Sequence, residues 1–139
     1  MKKEEVRSTL KSWINSLSIE LQNVLLLPPD FTRGNSGAGF IVQELYELLG
    51  SSVEIDIMPA LGTHVPMSDE ELTVMFGSKI PRECFVDHDW RKDVAKIGEI
   101  PAEFVSRISK GLVDYSIDVE VNRRLLDPKY DLILSIGQV

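Results

Sequence analysis

Two histidines, one cysteine and a few loop carboxylates are the groups in this chain best suited to chemistry. His64 stands in Gly62-Thr63-His64-Val65-Pro66. Imidazole titrates near neutrality, so such a ring can take a proton from a substrate hydroxyl and return it; the competing reading is a structural or exposed ring. Arg33 closes Asp30-Phe31-Thr32-Arg33 and leads into a loop of small residues. A guanidinium fork pairs bidentately with carboxylate or phosphate, and the alternative is a surface ion pair. Asp30, directly after Pro28-Pro29, could orient Arg33, bind a hydroxyl or cap the loop. His88 lies between Asp87 and Asp89, a triplet that reads as a hydrolytic metal site or as a solvated acidic turn. Adjacent residues rarely all point at one ion, which favours the turn. Cys84 sits among apolar neighbours with no following cation to activate it, and reads as core. Trp13 and Trp90 read as packing residues.

The stretch Gly34-Asn35-Ser36-Gly37-Ala38-Gly39 offers another possibility. Backbone N–H groups at a helix start bind anions, and glycines let a phosphate approach. Asp56 would then stand where a dinucleotide fold keeps its ribose-binding acid. The spacing is G-x-x-G-x-G rather than G-x-G-x-x-G, however, and no Walker lysine follows. A flexible turn and an anion site both remain open.

These residues need elements to hold them. Val6, Leu10, Trp13, Ile14 and Leu17 recur at three- and four-residue steps and predict an amphipathic helix. Val24-Leu25-Leu26-Leu27, stopped by Pro28-Pro29, predicts a buried parallel strand. A second helix follows, with Ala38, Ile41, Val42, Leu45, Leu48 and Leu49 on its stripe and Gly50 as its stop. Val53 to Ile57 alternates and predicts a second strand. Ser68 with Glu71 is a capping box that opens a helix through about Phe76. Further on, the pattern predicts a short strand at Cys84-Phe85-Val86 and another from Val94 to Ile100. A helix from Pro101 to near Gly111, a strand from Val113 to Val121 and a buried strand at Leu132 to Ile136 complete it. Strands alternating with helices imply a parallel sheet with crossover connections. The expected fold is α/β: a three-layer, mostly parallel, Rossmann-like sheet with helices on both faces. It is expected to form one domain over residues 1–139, truncated at the C-terminal end. Three polar clusters, at Asp30, His64 and His88, each follow a predicted strand and would share one rim of such a sheet.

Composition bounds the rest. The chain has 139 residues, 43% hydrophobic, the size and balance of a single globular domain. Its net charge of −7 disfavours sequence-independent nucleic-acid binding, which needs a basic face. A lone cysteine excludes an internal disulfide. No apolar run is long enough for a membrane span, and Met1-Lys2-Lys3-Glu4-Glu5 lacks the apolar core of a secretory signal. A cytoplasmic protein is expected.

Taken in order, Pro28-Pro29-Asp30-Phe31-Thr32-Arg33, Ala60-Leu61-Gly62-Thr63-His64-Val65-Pro66, His88-Asp89-Trp90 and Leu134-Ser135-Ile136-Gly137-Gln138-Val139 resemble the N-terminal region of the lactate racemase family. The resemblance runs from about Asn23 to Val139. It implies an isomerase of 2-hydroxy acids that uses a nickel-pincer nucleotide cofactor. In such enzymes histidine takes the hydroxyl proton while the α-hydrogen leaves as hydride. By this resemblance His64 matches one of two acid/base histidines, and Arg33 matches an arginine that helps hold the substrate. Asp30 matches the motif aspartate, and Thr32 completes the substrate-binding motif without a separate role. Gly34 departs from the proline that commonly follows the motif arginine. The second histidine, the cofactor-tethering lysine and the nickel-binding histidine are expected beyond Val139, in the missing C-terminal part. No cofactor is therefore expected on this chain, which alone should hold half a site and be inactive. A homo-dimer through the last strand or the first helix is expected. Two further readings stand beside this one: a non-catalytic module binding a hydroxy acid or nucleotide anion, and a metal hydrolase on Asp87, His88 and Asp89.

Overall fold

The computed structural model describes residues 2–137. Gln138 and Val139, the end of the last motif quoted above, lie outside the described residues. The chain divides into two compact units, one running to His88 and resuming at Pro128, the other spanning Asp89–Asp127.

The first unit carries helix α1 (Lys3–Ser16), strand β1 (Asn23–Leu27), helix α2 (Ala38–Leu49), strand β2 (Glu54–Ile57) and helix α3 (Asp69–Phe76). Beyond the second unit it regains strand β5 (Leu132–Ser135). Its sheet has the order β2-β1-β5, and β1 runs parallel to both neighbours. The continuous apolar run explains the central place of β1: Val24, Leu25 and Leu26 are fully buried, as a strand covered on both faces must be. Val24 and Leu26 share one core with Ile55 and Ile57, with Val42 and Leu45 of α2, and with Leu72 and Phe76 of α3. Leu10, Trp13 and Ile14 of α1 pack against that core, and Arg7 ties α1 to α2 through Glu44 and Glu47 at 2.5 and 3.0 Å. The capping box at α3 is present, Ser68 and Glu71 each bonding the other's backbone N–H. A parallel α/β sheet flanked by helices is the expected class.

The second unit is an antiparallel pair, β3 (Val94–Ile100) and β4 (Ile117–Asn122), joined through helix α4 (Ala102–Ser109). A bulge between Lys96 and Gly98 interrupts the pairing.

Four expectations are corrected. Cys84-Phe85-Val86 is not a strand: Arg82–Cys84 form a 3-10 turn, and Phe85 makes a single parallel bridge to Ile57. The Val86 N–H bonds the Ile57 carbonyl at 2.8 Å, but the next bond of a parallel ladder would need an N–H at residue 59, which is Pro59. The strand predicted from Val113 begins only at Ile117, because Ser109 Oγ accepts from the Val113 N–H at 3.0 Å and donates to its carbonyl. With Val113 tied to the end of α4, its backbone cannot join the ladder. The final strand is not buried but lies at a sheet edge, with Ile133 at 37% exposure. Trp90 does not pack inside either: it is 39% exposed, with the Arg91 guanidinium 4.0 Å over its ring.

Candidate functional site

The register of β1 against β2 runs unbroken from Asn23↔Glu54 through Leu26↔Ile57 to a last bridge at Pro29↔Ala60. Two further bonds, Met58 N–H to Leu26 carbonyl at 2.9 Å and Ala60 N–H to Pro28 carbonyl at 2.7 Å, carry the pairing past both strands. Asp30 and Leu61 therefore leave the sheet side by side. The chain then folds back: the His64 N–H bonds the Leu61 carbonyl at 3.0 Å, with Gly62 at φ +59 inside the turn. Leu61 and Met67 are buried and pin the two ends of this exposed loop to the core.

This turn sets the His64 ring over Asp30, with Nδ1 at 2.5 Å from Oδ2. The other Asp30 oxygen accepts two bonds from Thr32, one from the hydroxyl at 2.5 Å and one from the backbone N–H at 3.1 Å. Asp30 thus caps the 3-10 turn Phe31–Ser36 while holding the histidine. The carboxylate is buried, whereas His64 is 58% exposed at the side chain. Burial pushes the Asp30 carboxyl upward, but the Thr32 hydroxyl, the His64 ring and the Thr32 N–H outweigh it and leave it below its ordinary value. An ionised Asp30 can only accept, so Nδ1 of a neutral ring carries the proton and Nε2 presents its lone pair. The arrangement is that of an oriented proton acceptor. It faces a pocket of about 400 Å³ whose lining includes Phe31, Thr63, Val65, Pro66 and Met67.

Arg33 is not part of that lining. It is exposed, at a kink (φ −108, ψ 26) one residue past Thr32, and among the described residues its guanidinium has no ion-pair partner. The surface ion pair offered by the sequence is thus not made. Neither Asp87 nor His88 lines the pocket. Asp87 lies 3.7 Å from Arg82, and Asp89 accepts from the Arg91 N–H at 2.9 Å and pairs with Lys92. Among the described residues no group of three or more His, Cys, Asp or Glu side chains could hold a metal ion.

One glycine of the loop, Gly39, is accounted for by packing. A Cβ on Gly39 would overlap the Met75 carbonyl, so this glycine lets α2 approach α3. The Ala38 N–H at the start of α2 bonds Ser36 Oγ at 3.2 Å. Cys84 is partly buried against the core, and burial, with Glu83 and Asp56 nearby, pushes its thiol up, away from reactivity. Sequence reasoning missed what Thr32 does. The signal was present, since an aspartate followed two residues later by threonine is the spacing of a carboxylate that accepts from the backbone of its own turn.

Comparison with known proteins bears on the family and the fold. The family model of the lactate racemase N-terminal domain matches residues 2–138. A structural-genomics protein from Thermotoga maritima superposes with a TM-score of 0.84 at 27% identity, over 97% of this chain and 33% of its own. The lactate racemase apoprotein from Thermoanaerobacterium thermosaccharolyticum superposes at 0.62 and 19% identity, over 97% of this chain and 31% of its own. The chain thus spans roughly a third of the length of either. Among curated proteins none matches by sequence. The chain belongs to the lactate racemase family and corresponds to its N-terminal domain.

Proposed function

We propose that this chain supplies one half of the active site of a 2-hydroxyacid racemase or epimerase acting in the cytoplasm. The observation that carries the reading is the Asp30–His64 contact at 2.5 Å, beside a pocket of about 400 Å³ that both residues line. In this reading the substrate hydroxyl sits against Nε2. As its O–H bond breaks and Nε2–H forms, the positive charge on the imidazolium is offset by the ionised Asp30 beneath it. Arg33, which has no ion-pair partner among the described residues, pairs with the substrate carboxylate. On the return step the same ring gives the proton back. Inversion needs a second proton carrier on the opposite face of the planar intermediate, and a site that accepts the α-hydrogen. We assign both, with the nickel-pincer cofactor, to the C-terminal part found in longer family members. No helix among the described residues is long and apolar enough to cross a membrane.

The test is racemisation of a panel of 2-hydroxy acids by the full-length gene product, produced together with the enzymes that make the nickel cofactor. Activity that falls by about 100-fold or more in His64→Gln supports the assignment, in line with the usual contribution of a general base. A nickel-loaded protein that is silent across the panel refutes it.

A further inference from the structure

Thr32 sits in the substrate-binding motif, but its hydroxyl is already committed. It donates to Asp30 Oδ1 at 2.5 Å, and the Thr32 N–H reaches the same oxygen at 3.1 Å. Both bonds converge on Oδ1, which turns Oδ2 toward His64 Nδ1. A carboxylate held only by His64 could rotate about its side-chain torsion and present either oxygen, or swing away from a ring that is mostly in solvent. Asp30 is buried, but Thr32 and His64 are the only side chains that bond it among the described residues. From this geometry we infer that Thr32 is a positioning residue: its hydroxyl locks the Asp30 carboxylate in the rotamer that fixes the His64 tautomer. Nδ1 then carries the proton and Nε2 stays open to the pocket.

The inference deepens the acid/base reading of His64 and takes its importance from it, but it can be tested without any activity. The readout is the tautomer of neutral His64, from the nitrogen shifts of selectively 15N-labelled histidine in the full chain. His64 is assigned against His88 by loss of its signals in His64→Gln. In the unmodified protein Nδ1 should carry the proton as the dominant form. Thr32→Val and Thr32→Ala remove the hydroxyl but keep the backbone N–H, and in both the Nδ1–H form should become the minor species. Thr32→Ser restores the hydroxyl and should restore the dominant form. An unchanged tautomer in Thr32→Val and Thr32→Ala overturns the inference. So does loss of the fold in both, since the hydroxyl would then serve the turn rather than the ring. In the full-length enzyme the same substitutions should lower kcat by about tenfold or more with little change in KM. If the tautomer responds as expected while the full-length protein racemises nothing, the positioning role stands and the racemase reading fails alone.

Discussion

Asp30→Asn is the sharpest probe of the site, because it alters charge while almost preserving shape. The carboxylate accepts three bonds, two from Thr32 and one from His64. An asparagine carbonyl can keep both Thr32 bonds, though as neutral bonds they lose roughly half their strength. Toward His64 the amide offers a donor where there was an acceptor, so either the bond is lost or the ring must flip its proton from Nδ1 to Nε2. A bond to a charged group contributes about 1.5–3 kcal/mol, and the exposed ring places this one at the lower end. The variant should therefore lose about 2 kcal/mol of stability at pH 7. The sign of the pH dependence follows from the lowered Asp30 value. Its contribution is complete above the unfolded carboxylate's value of about 3.9 and is lost as pH falls through the lower folded value. Urea denaturation of both proteins should show a gap near pH 7 that closes as pH falls below about 4. Other carboxylates titrate equally in both proteins and cancel in the difference. A gap that is absent at neutral pH, or that persists unchanged into acid, would refute the claim that Asp30 is an ionised and engaged carboxylate. Under the proposed racemase function, the inverted tautomer should cost kcat of the full-length protein about 1,000-fold or more, by analogy with the protease triad in which the aspartate becomes asparagine.

Two predictions concern the scaffold. Gly39→Ala forces a methyl into the Met75 carbonyl and should cost about 1–3 kcal/mol by urea denaturation, whereas an ordinary helical glycine would gain from alanine. The edge strand β5, with Ile133 partly exposed, should support self-association of this chain that light scattering detects and that Ile133→Lys abolishes; a monodisperse monomer at high concentration would contradict it.

Much of the first unit was legible because its signals were local and agreed with one another. An apolar run between breakers gave β1, the capping box gave α3, and alternation gave β2. The late start of β4 has a local cause: a side chain claimed backbone groups that the pattern assigned to a ladder. Ser109 took both polar groups of Val113. Hydrophobic alternation contains no record of such bonds. The edge position of Leu132–Ser135 was hidden for a different reason, since an apolar run reports the need for cover without saying what provides it. At the site, the meeting of Asp30 and His64 was legible as a shared rim, because parallel strands put their C-terminal ends together. Arg33 was legible as a cation but not in its place, since the kink that carries it belongs to a turn set by Asp30 and Thr32.

The distance between Asp30 and His64 depends finally on one backbone angle. Register alone leaves Asp30 beside Leu61, and the ring returns over the carboxylate only because the chain reverses within three residues at Gly62, φ +59. An L side chain there costs about 1–2 kcal/mol, and asparagine tolerates the left-handed region best among them. No atom lies within 4 Å of a Cβ built on Gly62, so the cost is conformational and not steric. Gly62→Asn should therefore keep the turn and the His64 tautomer at a modest cost in stability. The β-branched Gly62→Val should open the turn instead, releasing His64 from Asp30 while the core, anchored by Leu61 and Met67 on either side, stays folded. Melting temperatures and the histidine nitrogen shifts separate the two outcomes. If Gly62→Val retained the Nδ1–H tautomer, the turn would not be what brings the ring to the carboxylate, and the path from sheet register to site geometry drawn above would fail at that step.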